Sequence, residues 1–406
     1  MMMMIRAALA AAADFCLPIT RHLLLAATLA TQFLLSSTVA QAGTYEPVAV
    51  PLRQFGFATA GHVQLPEDLI KFYDYMHQVL GDGGIVRTGL VWDPTRSDVP
   101  NFARWSAKEL ELARTRNILV LPVITTNNLT QGGYRMPTDA QWTYGLRQIV
   151  QMYGPNGIYQ RGGSYVFMGK TTVVAPHPTF PGLTDFELWN EPNDQGNLNG
   201  AMTPARVVQM LKIGSAAMRE EAAKLGFKIN IIGPSIGGAD IAYLNKLWSI
   251  DNNFFSYMDT LAFHMYIRYS PSQCDAFGSS KLRCIETFDE VRKYMNAHGG
   301  TNVHLATTEG GTAGDQGTCL GPQVRSEEQQ STINTENLLW LRGRPYLKFD
   351  FWITTNPFDN TDKYSFACDS GIYDIPYWEY KLGVFRADLT IKPWGIKYRD
   401  LVAFWR

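Results

Sequence analysis

Two short runs carry the residues best suited to chemistry: F-E-L-W-N-E-P-N at 186–193 and L-A-T-T-E-G-G at 305–311. Each reads as an apolar β-strand that ends in a glutamate, Glu191 or Glu309, and is broken at once by Pro192 or Gly310. Two carboxylates that meet across a cleft are what glycosidic-bond hydrolysis needs: an acid to protonate the leaving oxygen, and a carboxylate to attack carbon or activate water. In that chemistry Glu191 is the proton donor and later the base, and Glu309 is an ionised nucleophile. Asn190, beside Glu191, is placed to donate to a sugar hydroxyl next to the reacting carbon. Trp, Asn, Glu and Pro together are an uncommon string, which weighs against an ordinary structural ion pair for Glu191. The T-E-G-G run is weaker alone. Its glycines, Gly310 and Gly311, are expected to let a sugar ring approach the backbone.

Other side chains fit supporting roles. In L-A-F-H-M-Y, His264 and Tyr266 stand two residues apart, so both side chains share one strand face. Tyr266 is suited to donate to the nucleophile, and His264 to bind substrate or tune the acid/base. Arg87, in I-V-R-T-G at the end of a strand, can hold Glu309 ionised through a charge-assisted hydrogen bond. A plain structural ion pair explains Arg87 equally well on its own. Trp352 is expected as an apolar floor beneath the ring at the cleavage point. Trp92, Tyr373 and Trp378 are looser candidates for sugar platforms, since packing is the commoner role for any one of them.

These residues need a scaffold that brings distant strand ends together. After the N-terminal segment, short β-rich runs alternate with helical patterns, which predicts βαβ units and a parallel sheet. The expected strands are 55–58, 85–90, 118–125, 186–189, 229–232, 260–264, 303–308 and 349–354. They are apolar without alternation, as where both faces of a sheet are covered. Thr203-Pro204 predicts the start of a helix that Gly226 closes. Pro66 opens another before Gly81, Thr138 starts a third, Ser326-Glu327-Glu328 a fourth running towards Leu341, and a last helix lies near 393–404. The fold class is α/β: a single (β/α)8 TIM barrel spanning 43–406, with no second domain. Its length lies within the roughly 200 to more than 400 residues usual for that architecture. Long loops are expected after strands two, three, six, seven and eight, on the face that carries catalytic groups. The Gly- and Pro-rich stretch 153–184 is expected at the opposite end or side.

Composition sets outer bounds. The 406 residues include 36 basic and 37 acidic side chains, so no charge excess points to nucleic acid or an anionic membrane. Arg21 and His22 precede an apolar run at 23–35 and then Ala40-Gln41-Ala42, the plan of a cleavable signal peptide over residues 1–42. That run is too short for a comfortable membrane span. A secreted or periplasmic protein, and a monomer, are expected. Of the five cysteines, Cys16 leaves with the leader. Cys274, Cys284, Cys319 and Cys368 then allow three pairings, with Cys274–Cys284 the local choice. No cysteine–histidine cluster suggests zinc, and no phosphate loop is present. No metal and no cofactor are expected.

W-N-E-P on strand four, H-M-Y on strand six and T-E-G-G on strand seven resemble the clan A (β/α)8 retaining glycoside hydrolases. The chain is most similar to family 39-like and family 5-like members, including bacterial exopolysaccharide glycosidases. The resemblance covers the chain after its leader in strand order. It implies an acid/base at Glu191, a preceding Asn at Asn190 and a nucleophile at Glu309. Arg87, His264, Tyr266 and Trp352 match the strand-two Arg, strand-six His and Tyr, and strand-eight Trp. Family 5 members commonly carry a His at the end of strand three, where this chain has Thr125-Thr126-Asn127-Asn128. That favours the family 39-like side. The expected partner is an oligo- or polysaccharide, cut internally with retention of configuration. A transglycosylase using the same site and a carbohydrate-binding barrel without catalysis are the competing readings.

Overall fold

The computed structural model describes residues 54–58, 66–94, 106–127, 135–167, 170–193, 202–266, 287–316, 324–344, 346, 349–355, 358–359 and 381–405. The leader, the four remaining cysteines, Tyr373 and Trp378 lie outside the described residues.

Among the described residues the central sheet has nine parallel strands: a short one at Ile236–Gly237 and eight that make the ring, β1 (Gln54–Ala58), β2 (Ile85–Trp92), β3 (Leu119–Thr126), β4 (Asp185–Leu188), β5 (Asn230–Ile232), β6 (Thr260–Tyr266), β7 (His304–Gly311) and β8 (Phe349–Thr355). They pair in chain order, and β7 pairs with both β8 and β6, so the ring closes. Helices α1 (Pro66–Leu80), α2 (Ser106–Thr115), α3 (Asp139–Tyr153), α4 (Pro204–Lys224), α5 (Ile241–Ile250), α6 (Thr287–Ala297), α7 (Glu327–Arg342) and α8 (Pro393–Trp405) alternate with them. This is the expected α/β barrel. All eight expected strands are present, and α1, α3, α4, α7 and α8 begin where the sequence signals place them. Thr138 and Ser326 each form a reciprocal capping box, with Gln141 and Gln329, and Thr203 caps α4 ahead of its N1 proline. These bonds satisfy amide donors that the first helical turn leaves without partners. The 163–174 stretch adds an antiparallel hairpin, Gly163–Phe167 with Lys170–Val174, on the connection into β4. Among the described residues no helix is long and apolar enough to cross a membrane.

The ring is not uniform. β2 and β3 stay in register from Ile85↔Leu119 to Trp92↔Thr126. By contrast, β5 meets β6 at a single register pair, Ile232↔Thr260, and the following short strand Ile236–Gly237 takes over by pairing with Phe263 and His264. The barrel interior changes character with height. Ala58, Ile85, Leu121, Ile232, Ala262, Ala306 and Ile353 form a dry lower layer, the usual packed centre of such a barrel. Two or three residues further along the strands, Arg87, Glu187, Ser235, His264 and Thr308 form a buried polar layer above it.

Outside the ring, the apolar faces of strands and helices form the main core. Trp92 belongs there. It is buried and stacks on Trp142 of α3, with ring centroids 5.6 Å apart and planes 7° apart. Such a stack contributes about 0.5–1.5 kcal/mol beyond area burial. Packing, the commoner role expected for Trp92, is the one it takes. Alternation along β2 sends it to the helix layer, on the face opposite Arg87.

Candidate active site

The polar layer is built around Arg87. This residue lies inside β2 rather than at its end, because the strand runs on to Trp92. Burial forces its guanidinium to satisfy its donors internally. Nε and Nη2 form a fork on the two oxygens of Glu187, at 2.8 and 2.6 Å. Nη1 donates to Oε1 of Glu309 at 2.5 Å, and Nη2 also donates to Oδ1 of Asn190 at 2.8 Å. Burial disfavours the charge on Arg87, but Glu187 and Glu309 outweigh it and hold the guanidinium firmly protonated. Opposite charges at contact distance favour the ionised form of each partner.

Glu309 sits at a bulge. The β6–β7 register shifts between Thr307 and Glu309, so Thr308 is an extra residue and Glu309 comes level with His264. Its carboxylate is gripped from several sides: Arg87 on Oε1 at 2.5 Å, and the Tyr266 hydroxyl donating to Oε2 at 2.6 Å. Burial pushes the carboxyl up. The charges of His264 and Arg87, with the hydrogen bonds from Tyr266 and Arg87, reverse this and hold it below the ordinary carboxylate range. Gly310 plays a different part from the one expected. A Cβ there would lie 2.6 Å from the Met265 carbonyl oxygen, so the absent side chain makes room for β6 rather than for a sugar.

Glu191 is held differently. The chain leaves β4 through two positive-φ residues, Trp189 at 77° and Glu191 at 41°. Side chains of this size seldom adopt that backbone conformation. The Glu191 amide donates to the Ser235 carbonyl at 2.8 Å, and Asn190 forms an isolated parallel bridge with Ser235. The Glu191 Oε1 atom lies 2.6 Å from His264 Nδ1, which is also 3.5 Å from Glu309 Oε2. On the other edge of the ring, Nε2 faces Arg87 Nη2 at 3.5 Å. A proton on Nδ1 serves the short contact with Glu191. Burial alone would lower the imidazole pKa, but Glu309 and Glu191 outweigh it and raise it.

Arg87, Asn190, Glu191, His264, Tyr266 and Glu309, which lie far apart in sequence, thus meet at one end of the barrel. Trp352 lies on β8 with its backbone in register with Phe55 and Thr307. Two members were not anticipated. Glu187 is fully buried and anchors Arg87; Ser235 hydrogen-bonds Glu187 and lies 3.2 Å from the Thr308 hydroxyl. Glu187 left a signal, because a charge inside the apolar run F-E-L-W demands a buried partner. Ser235 left none.

One ligand atom from each of Glu191, His264 and Glu309 lies within 4.8 Å of the others. Three such groups can in principle ligate a cation. The guanidinium 2.5 Å from Glu309 already supplies the positive charge there, which disfavours a dication by like-charge repulsion. Chemically, the arrangement offers one carboxylate stabilised as an anion and a second, 26% exposed at the mouth, in contact with a histidine that can exchange a proton.

No protein-family model matches the sequence, and no curated protein matches it. The likeness is structural. A family 39 glycoside hydrolase from Bacteroides cellulosilyticus superposes with a TM-score of 0.57 at 17% identity, covering 89% of this chain and 66% of that one. A glucosidase from Croceicoccus marinus gives 0.58 at 13% identity, covering 89% of this chain and 69% of that one. An exo-β-1,4-mannosidase from an Opitutaceae bacterium gives 0.54 at 14% identity, covering 90% and 62%. The chain spans roughly two thirds of the length of these proteins. What it shares with them is the fold, the parallel (β/α)8 barrel found in family 39 glycoside hydrolases and their relatives.

Proposed function

We propose that this protein is an exported, retaining glycoside hydrolase, with Glu309 as nucleophile and Glu191 as acid/base. The observation that carries the reading is that an oxygen of each carboxylate lies within 4.8 Å of one on the other, at one end of a barrel of this kind. Retaining chemistry uses carboxyl groups about 5–5.5 Å apart, whereas inversion needs roughly 6.5–9.5 Å to admit water. The shorter separation favours retention.

In the first step Glu309 attacks the anomeric carbon while Glu191 gives its proton to the leaving oxygen; the C–O bond breaks and a glycosyl ester forms. Water then attacks the same carbon, Glu191 takes its proton, and the ester bond to Glu309 breaks. Arg87 and Tyr266 keep Glu309 anionic between turnovers. With its Oδ1 engaged by Arg87, Asn190 presents Nδ2 as a donor to the hydroxyl beside the reacting carbon. His264 sits where it can hand charge between the two carboxylates as Glu191 alternates between acid and base. No step calls for a metal or an organic cofactor.

The substrate in this reading is a neutral oligo- or polysaccharide, cut internally. Near-zero net charge supports a neutral glycan, and the long connections after five of the strands support an extended cleft. Hydrolysis of a panel of bacterial exopolysaccharides and plant β-glycans, followed by 1H NMR of the first-formed anomer, tests the proposal. Retained configuration, with oligosaccharide products, is expected. Inverted product, or full activity in Glu191→Gln and Glu309→Gln, would overturn it. Sequencing the N-terminus of the exported protein tests cleavage near Gly43.

A further inference from the structure

The loop that carries Glu191 is clasped by a side chain outside the polar layer. Asn193 Oδ1 accepts from the Gly237 amide and Asn193 Nδ2 donates to the Gly237 carbonyl, both at 2.9 Å. One side chain thus mimics a strand neighbour for one peptide residue. Gly237 in turn lies directly behind the Glu191 carboxyl. A Cβ on Gly237 would stand 3.3 Å from Glu191 Oε1, 3.4 Å from its Cδ and 3.5 Å from Asn193 Oδ1. The carboxyl is therefore confined between Gly237 and the imidazole of His264, 2.6 Å from Oε1. Gly237 is itself fixed within the barrel by pairing with His264, and the Gly238 amide donates to the His264 carbonyl at 2.9 Å. The Tyr243 hydroxyl adds a bond to the Pro192 carbonyl at 3.2 Å.

We infer that Asn193 and Gly237 are positioning residues for proton transfer: the Asn193–Gly237 clasp sets the place of the Glu191 carboxyl relative to the leaving oxygen. Two positive-φ residues of ordinary size, Trp189 and Glu191, occur in this turn. Such conformations persist only where the surroundings over-determine them. The clasp supplies that constraint on the C-terminal side of Glu191, as Ser235 does on the N-terminal side. Gly237 has no positive φ, so an alanine there changes the space available to Glu191 without straining its own backbone. The inference rests on Glu191 being the acid/base.

The test compares wild type, Gly237→Ala, Asn193→Ala and Glu191→Ala on two aryl glycosides of the sugar released in the panel above. One carries 2,4-dinitrophenolate, which leaves without a proton, and the other phenolate, which needs one. For Gly237→Ala and Asn193→Ala, kcat/KM on the phenyl glycoside is expected to fall about 10-fold or more, with a much smaller loss on the dinitrophenyl glycoside. Equal losses on both substrates, or none, overturn the clasp as a positioning device. Equal losses in Glu191→Ala overturn the acid/base assignment instead, so the two failures are distinct. A second readout needs no substrate: the Nδ1 proton of His264 in 1H–15N spectra. Gly237→Ala is expected to shift that resonance while the folded spectrum is otherwise kept; an unmoved resonance overturns the inference.

Discussion

The two glutamates reach the barrel mouth by opposite constructions. Glu309 stands on a strand that pairs along most of its length with β6, and only one extra residue, Thr308, turns its carboxylate into place. Its surroundings are charged: a guanidinium on one oxygen, a phenol on the other. Glu191 stands past the end of a four-residue strand, on a turn with two positive-φ residues, beside the seam where β5 and β6 share one register pair. Its surroundings are backbone, a glycine and the His264 ring. The difference matches the two tasks of the proposed mechanism. A nucleophile must stay ionised, which fixed positive charge and donors accomplish. An acid/base must gain and lose a proton in every turnover, so its position has to be set by steric confinement rather than by strong ionic grip.

The sharpest way to break this contrast is to remove each group. Glu309→Gln is expected to lower kcat/KM by about ten-thousand-fold or more, whatever the leaving group. Glu191→Ala should cost about 10²–10⁴-fold, confined to poor leaving groups, and azide should restore turnover as a glycosyl azide. If the two variants show the same leaving-group pattern, the division of labour fails. Arg87→Met strips the counter-charge from buried Glu187 as well as from Glu309. Urea denaturation should register a loss of about 3–5 kcal/mol, the cost of breaking a buried pair. A loss well under that would mean the polar layer hydrates readily.

Smaller changes sharpen the electrostatic side. Tyr266→Phe removes one hydrogen bond to an ionised group, about 1.5–3 kcal/mol, so kcat/KM should fall about 10- to 100-fold. The smallest effect lies in the wild-type pH profile. The carboxyl of Glu309 is held below the ordinary range, so it remains ionised as pH falls until that lowered value is passed. The acidic limb of kcat/KM should therefore lie below the ordinary glutamate range and move upward in Tyr266→Phe. A limb at or above the ordinary value in wild type would contradict the grip seen around Glu309.

Much of this contrast was legible in the sequence, and for identifiable reasons. The apolar runs before Glu191 and Glu309 marked β4 and β7, although β7 continues through Gly310 to Gly311 and β4 stops at Leu188, short of Glu191. Cap residues such as Thr138, Thr203 and Ser326 fixed helix starts because their bonds are local. The pairing of Arg87 with Glu309 was one of two equal readings of that arginine, and the resemblance to clan A glycoside hydrolases favoured it. What escaped were features set by three-dimensional closeness. Gly310 serves strand packing because Met265 lies against it, which no local pattern reveals. Ser235 and the Asn193–Gly237 clasp depend on how two separate turns meet.

The Arg87 fork also has a bearing on how the chain becomes a barrel. Glu187 and Arg87 both belong to the first four strands, so the N-terminal half of the barrel carries both partners of that ion pair. Glu309 arrives with the last four strands and completes the guanidinium across 222 residues of sequence. Glu309 is thus also a stitch between the two halves. Fragments split between β4 and β5 should reassemble with a salt sensitivity that disappears in Glu309→Gln, making assembly and catalysis two readouts of one carboxylate.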